Sequence, residues 1–245
     1  SDDQAPLPPL HHLNLDNLPK GDAHLLKENK PWSDFLKNGV YCLDRYMWEN
    51  LKSGDSVAKL LGACESSIIL VRGAIDDPNL ERDITAMATF MSDKSKVPPS
   101  KGMFGVEIGR RQCTFGAKYK KFGASHPLDE SAPELVNKVF AHTQKILDES
   151  PLLAQEPSNI AKYTGVHCNW YADGKAGVQP HQDDEKQLIP GAPIFSYTFL
   201  KDDDNTRARE FVIKAKPKKD HIDKTTGGIK VRLESGDLLV MGGDM

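Results

Sequence analysis

Asn169-Trp-Tyr-Ala-Asp-Gly174, followed by His181-Gln-Asp-Asp-Glu185, is the stretch of the chain with the strongest structural signal. Side chains alternate between the two faces of a strand, so His181 and Asp183 are predicted to lie on one face and to bind a single metal ion. Asn169 and Tyr171 have the same spacing and therefore the same parity. Asp173-Gly174 is typical of a turn.

The donor types of this stretch indicate which metal it would bind. An imidazole and a carboxylate are two of the three protein ligands in the two-histidine, one-carboxylate site of non-heme Fe(II) oxygenases. His-x-Asp alone is usually a polar turn, but the preceding Asn-x-Tyr-x-Asp-Gly favours a functional site. No second histidine follows at a suitable position, and His221, in a loop rich in lysine and aspartate, is a poor substitute.

The residues around this stretch predict an α+β domain with a β-rich second half. A serine N-cap at Ser131 with Glu134 three positions later is typical of a capping box and predicts a helix. Apolar and polar patterns predict strands over residues 66–72, 166–171, 194–200, 209–213, 229–234 and 238–241, and a second helix over 78–91. Short strands with polar turns and one supporting helix predict a sandwich or a double-sheet jelly roll.

The first hundred residues have a different composition. Residues 1–31 are rich in proline and polar residues and predict a linker or an extended arm. Residues 32–100 predict a mainly helical segment, including a helix that ends at Gly62, and a proline- and lysine-rich stretch at 92–102 is the expected boundary. The jelly-roll domain is therefore predicted over 101–245.

Composition excludes several classes of protein. A formal net charge of -3 gives no overall attraction to nucleic acid, so such binding would need a local basic surface. No long apolar run or signal pattern is present, which predicts neither a membrane span nor secretion and favours a cytoplasmic or nuclear setting. The four cysteines are widely separated and are expected to be reduced thiols.

One stretch of basic and aromatic residues suggests a base-stacking surface. Arg110, Arg111 and the lysines at 118, 120 and 121 are interleaved with Phe115, Tyr119 and Phe122. The basic residues could also contact phosphates, although runs of this kind are usually solvated faces. Arg209 is expected to hold a sheet edge through a salt bridge.

Several motifs in order resemble the AlkB-like branch of the Fe(II)- and 2-oxoglutarate-dependent dioxygenases. They span roughly residues 105–245 and are Gly109-Arg-Arg-Gln-Cys-Thr-Phe-Gly116, Asn169-x-Tyr171-x-Asp173-Gly174, His181-x-Asp183-Asp184-Glu185, Arg209-x-Phe211 and Gly236-Asp-Leu-Leu-Val-Met-Gly-Gly243. The first motif and the segment ending at His126 look most like AlkB domains of plant RNA-virus polyproteins. The resemblance implies a double-stranded β-helix, or jelly roll, with supporting helices.

The resemblance also implies cofactors and residue roles. His181 and Asp183 would bind Fe(II), Asn169 and Tyr171 would contact 2-oxoglutarate, and ascorbate would serve as reductant. Asp184 and Glu185 would line the pocket for a cationic methylated base. The implied reaction hydroxylates an N-methyl group of a base in nucleic acid, expected to be single-stranded, and the hydroxymethyl group then leaves as formaldehyde. RNA is slightly preferred over DNA because of the likeness to the viral domains.

Two further expectations follow from the resemblance. The family's distal histidine and the arginines that bind 2-oxoglutarate would fall after Met245, so the domain is expected to be truncated and to be an excerpt of a larger polyprotein; activity of the chain as given is in doubt for the same reason. The alternatives are a 2-oxoglutarate oxygenase acting on a protein or small molecule, and a catalytically inactive jelly-roll binding module.

Overall fold

The computed structural model of the chain describes residues 40–44, 66–117, 123–149, 163–178, 181, 192–204, 207–214 and 228–243. The predicted arm and the helix predicted to end at Gly62 lie outside these residues. So do Asp183, Asp184 and Glu185 of the predicted site.

Two helices and nine strands make up the regular structure of the described residues. In chain order they are β1 (Val40–Asp44), β2 (Ser66–Arg72), α1 (Leu80–Ser92), β3 (Arg110–Gly116), β4 (Ala124–His126), α2 (Glu134–Asp148), β5 (Gly165–Tyr171), β6 (Ile194–Thr198), β7 (Glu210–Lys214), β8 (Gly228–Arg232) and β9 (Asp237–Gly243). The sequence did not predict β1, in which residues 40–44 form a strand that pairs in parallel with β2. The mainly helical character of residues 32–100 stays a prediction.

The largest sheet has the order β1-β2-β9-β6. β2 and β9 are antiparallel, and Ile68, Ile69, Leu239 and Val240 in them are all 0% exposed. Continuous apolar runs of this kind are buried on both faces, which is why their sequences do not alternate. The sheet joins residues from both sides of the predicted boundary, and the division of the chain at residue 100 stays a prediction.

A second sheet, of order β4-β3-β5, packs one face against the helices. Its core cluster consists of Met91, Val97, Cys113, Phe115, Ala132 and Val136, with Val166, Cys168 and Trp170 of β5 packed against it. β7 and β8 form a separate antiparallel hairpin. The described part of the chain is thus α+β, as predicted, although its strands form three sheets and do not close into one barrel.

The start of α2 differs from the predicted capping box. The helix begins at Glu134, with Pro133 at the N-cap position and no side-chain cap. Ser131 instead donates hydrogen bonds from its backbone N–H and its hydroxyl to Oδ1 of Asp129, at 2.8 and 2.5 Å. The carboxylate of Asp129 is a stronger acceptor than the serine hydroxyl and closes its own turn, so Ser131 is not available as a cap.

Candidate functional site

β5 carries Asn169 and Tyr171 on the face that points away from the helices. Val166, Cys168 and Trp170 of the same strand pack against the core cluster. Because side chains alternate along a strand, the odd-numbered residues lie on the opposite face. Asn169 is exposed there and Tyr171 is half-buried.

This second face of the sheet is polar. Thr114 Oγ1 and His167 Nδ1 lie 3.1 Å apart across β3 and β5. The next register pairs on the same face are Gln112 with Asn169 and Arg110 with Tyr171. The two residues predicted to contact 2-oxoglutarate therefore belong to a continuous row of hydrogen-bonding side chains.

A tight turn follows β5, as the Asp173-Gly174 pair predicted. Oδ1 of Asp173 accepts hydrogen bonds from the N–H groups of Lys175 and Ala176, both at 2.9 Å. These two backbone hydrogen bonds lower the pKa of the Asp173 carboxyl. The turn lies on Gly109, where an added Cβ would come within 3.0 Å of the Ala176 Cβ. A side chain at position 109 would displace it.

Arg209 holds this turn from the other side. Its guanidinium donates to the backbone carbonyls of Asp173 and Ala176 and lies 4.7 Å from the centre of the Tyr171 ring. The sequence predicted a salt bridge at a sheet edge for Arg209, and that salt bridge stays a prediction. The backbone hydrogen bonds and the cation–π contact were not predicted.

His181 is the one predicted metal ligand among the described residues. It is exposed and follows the turn at Asp173 in the sequence. Because Asp183, Asp184 and Glu185 lie outside the described residues, the roles of all six predicted site residues stay predictions.

Two members of the expected base-stacking surface have other roles. Arg111 donates to the carbonyls of Met91 and Ser92 at the end of α1 and lies 5.5 Å from the Trp170 ring centre, so its charge stabilises the helix C-terminus. Phe115 is 1% exposed in the core cluster. The base-stacking interpretation is wrong for Phe115, whose apolar ring fills the core. Tyr119 and Phe122 lie outside the described residues.

The structure reveals an exposed aromatic residue that sequence reasoning missed. Phe104 is 94% exposed, has a positive φ of 65°, and lies at the tip of a hairpin that leads into β3. The hairpin is closed by the bridge between Lys101 and Glu107 and by a 2.8 Å hydrogen bond from the Gly102 N–H to the Val106 carbonyl. Gly102 and Gly105, on either side of Met103-Phe104, were the available signal, but the sequence analysis predicted only a boundary at 92–102 beside them.

A cleft of about 240 Å³ lies at the base of this hairpin. Its lining includes Ile108, Arg111 and Trp170. Trp170 and Arg111 are on the face of the sheet toward the helices, so the cleft is separate from the row that contains Asn169 and Tyr171.

Residues 86–245 match the family model described as the 2OG-Fe(II) oxygenase superfamily. The chain belongs to this superfamily. Its members use Fe(II) and 2-oxoglutarate as cofactors, and the family implies a jelly-roll fold. The match begins inside α1, before the boundary predicted near residue 100.

A relative in the mouse supports the AlkB-like resemblance. The chain is 30% identical over 97 residues to the protein named DNA oxidative demethylase ALKBH2, a match that covers 37% of this chain and 38% of the relative. The chain therefore spans well under half the length of this curated relative. The AlkB-like resemblance is confirmed, whereas its viral placement and the larger polyprotein stay predictions.

The polar face of β3 and β5 fits a dianionic cofactor. Nε of Arg110 is buried and has no hydrogen-bond partner in the described part of the chain. Asn169 and Tyr171 add an amide and a hydroxyl, both of which can donate to a carboxylate. For the metal, the fit rests on donor chemistry, since an imidazole from His181 and a carboxylate from Asp183 suit Fe(II).

No helix among the described residues is long and apolar enough to cross a membrane.

Proposed function

We propose that the chain is an oxidative demethylase of N-alkylated bases in nucleic acid, with single-stranded RNA preferred over DNA. The name of the mouse relative supports a nucleic-acid substrate. The structural observation that carries the proposal is the exposed Phe104 hairpin, which continues directly into the sheet of the candidate site.

Neighbouring apolar side chains exposed together are typical of an interaction site. Phe104 is 94% exposed, and Val106 beside it is 64% exposed, so the hairpin presents an apolar tip to solvent. Every base has a flat π surface that stacks on aromatic rings, and apolar side chains also insert between bases and unstack them. Such an insertion would help to expose a single base for chemistry.

The proposed roles of the site residues follow the family's cofactors. His181 and Asp183 would hold the iron, and Asn169 and Tyr171 would hydrogen-bond to 2-oxoglutarate. Asp184 and Glu185 would face the methylated base. With iron bound, the site would supply oxidising chemistry in which O2 hydroxylates the N-methyl group while 2-oxoglutarate is converted to succinate and CO2. The resulting hydroxymethyl group would then leave the base as formaldehyde.

Charge explains why a carboxylate would line the base pocket. N1-methyladenine and N3-methylcytosine carry a positive charge, and a partly buried cation is stabilised by an anion. A neutral methylated base gains less from Asp184 and Glu185. The proposal therefore predicts a preference for cationic lesions.

The test measures formaldehyde released by the full-length protein with Fe(II), ascorbate and 2-oxoglutarate. Single-stranded RNA, single-stranded DNA and duplex DNA, each with one N1-methyladenine, are compared. Release is expected from all single strands and fastest from RNA. A protein that binds both cofactors and releases no formaldehyde from any of the three would overturn the proposal.

Two other results would identify the alternatives. Succinate formation on a protein or small molecule, without formaldehyde from methylated bases, would select a different 2-oxoglutarate oxygenase. Salt-dependent RNA binding without metal uptake would select an inactive binding module.

A further inference from the structure

Arg209 contacts the last residue of β5 and two points of the turn that follows β5. Its two terminal nitrogens donate to the carbonyls of Asp173 and Ala176, and its guanidinium carbon lies 4.7 Å from the Tyr171 ring centre. The Arg209 carbonyl accepts a 3.2 Å hydrogen bond from the N–H of Leu233. The backbone of Arg209 is thus held next to the end of β8, and its side chain contacts both the Tyr171 ring and the turn at Asp173.

The turn is built to present these two carbonyls together. Asp173 closes it from inside through the N–H groups of Lys175 and Ala176. The carbonyl of Gly109 accepts a 3.2 Å hydrogen bond from the N–H of Ala172. The Asp173 side chain thus binds the N–H groups of the turn, and the carbonyls of Asp173 and Ala176 both accept hydrogen bonds from the Arg209 guanidinium.

We infer that Arg209 is a positioning residue for the cofactor site: it sets the Tyr171 ring and the start of the segment that carries His181. The inference rests on the proposed roles of Tyr171 and His181. Arg209 acts through these two residues, because its described contacts are with the protein itself.

The geometry requires arginine. A planar guanidinium can bond to two carbonyls and lie against a ring at the same time, whereas a lysine ammonium is a point donor on a flexible stem. Lysine at position 209 would keep the positive charge near Asp173 but could not donate to both carbonyls in the same planar geometry. Arg209→Lys therefore separates geometry from charge.

The experiment uses full-length protein with Arg209→Lys and Arg209→Met. Arg207→Lys and Arg207→Met are the matched controls, because Arg207 is 77% exposed and pairs with Asp204 at 3.1 Å. Affinity for 2-oxoglutarate is measured on Mn(II)-loaded protein. Cleavage by trypsin after Lys175, inside the turn, is followed by mass spectrometry, and thermal unfolding shows that each variant is folded.

Both Arg209 variants are expected to bind 2-oxoglutarate about tenfold more weakly, as is typical when an outer partner of a ligand site is lost. Cleavage after Lys175 should become several-fold faster, since the turn opens locally without global unfolding. In a Tyr171→Phe background, Arg209→Lys should weaken 2-oxoglutarate binding by clearly less, because the two residues act as a unit. The Arg207 variants should behave as wild type.

Wild-type affinity in Arg209→Lys would overturn the inference, whether or not cleavage after Lys175 is faster, because faster cleavage alone shows only a structural role. If Arg209→Met fails to fold, Arg209→Lys alone decides. Neither readout uses a methylated base, so failure of the demethylase proposal would appear separately, as 2-oxoglutarate binding by the wild type without formaldehyde release.

Discussion

Arg72 and Asp237 form an ion pair that joins the C-terminal end of β2 to the start of β9. The Asp237 side chain is 2% exposed, and its carboxylate also accepts hydrogen bonds from the N–H groups of Glu234 and Gly73, at 2.7 and 3.2 Å. The pair therefore closes the end of the largest sheet, beside the turn at Ser235 and Gly236.

Replacing Asp237 by alanine should destabilise the protein strongly. The substitution takes the Asp237 carboxylate from the mostly buried Arg72 guanidinium and from two backbone N–H groups, and breaking a buried ion pair typically costs about 3–5 kcal/mol. Urea unfolding followed by circular dichroism measures the loss. Glu130→Ala, an exposed acid, should change the unfolding free energy by less than about 0.5 kcal/mol. Equal effects of the two substitutions would contradict the assigned role of the pair.

Stability should fall on acidification because of His142. Its Nδ1 lies 2.7 Å from the hydroxyl of Tyr197, and burial, with a smaller effect of Lys145, lowers the pKa of His142 below 6.5. A histidine with a lowered pKa in the folded state stabilises the fold above its unfolded pKa. That stability is lost as the pH falls through about 6.5 toward the folded pKa.

The test compares melting temperatures of wild type and His142→Gln from about pH 8 to about pH 5. The wild type should lose more stability over this range than the variant. His126→Gln is the comparison variant; the His126 ring contacts Phe90 edge-on and Phe115 at a tilt. Parallel pH profiles for wild type and His142→Gln would show that His142 does not carry the effect.

Phe104→Ala should reduce turnover of methylated oligonucleotides without changing 2-oxoglutarate affinity. The ring is exposed at a hairpin tip, so its loss should affect substrate engagement, and base stacking on an aromatic ring is worth about 1–3 kcal/mol. The matched control is Val212→Ala, because Val212 is an apolar residue 40% exposed on β7. The prediction fails if both variants lose turnover to the same extent.

Asn169→Ala should weaken 2-oxoglutarate binding by about tenfold, the loss expected of one hydrogen bond to a charged group. Asn169 is exposed on β5, so the fold should be unaffected. Asn137→Ala serves as control, since the Asn137 amide donates to the Asp129 carbonyl at the start of α2. Titration of 2-oxoglutarate into Mn(II)-loaded protein gives both affinities, and an unchanged value for Asn169→Ala would remove it from the site.

Much of the β half could be predicted because its strands have strong local patterns. Residues 238–241 were predicted to form a strand, and they lie in β9, where Leu238, Leu239 and Val240 are each 0% exposed. The apolar run was enough to place β9. The polar and apolar residues of β5 likewise alternate in the sequence as they do in the structure.

Other features depended on contacts distant in sequence. β1 is a strand through its parallel pairing with β2, a tertiary pairing that local propensity does not encode. Arg111 was read as a phosphate contact, but the end of α1 lacks a basic residue of its own and uses Arg111 instead. The contacts of Arg209 with the turn at Asp173 were not predictable for the same reason.

The most direct test of the demethylase site counts products from a single-stranded RNA with one N1-methyladenine. Wild-type protein with Fe(II), ascorbate and 2-oxoglutarate should release formaldehyde and succinate in equal amounts, and His181→Ala should release neither. Succinate without formaldehyde, or full release of both by His181→Ala, would contradict the account.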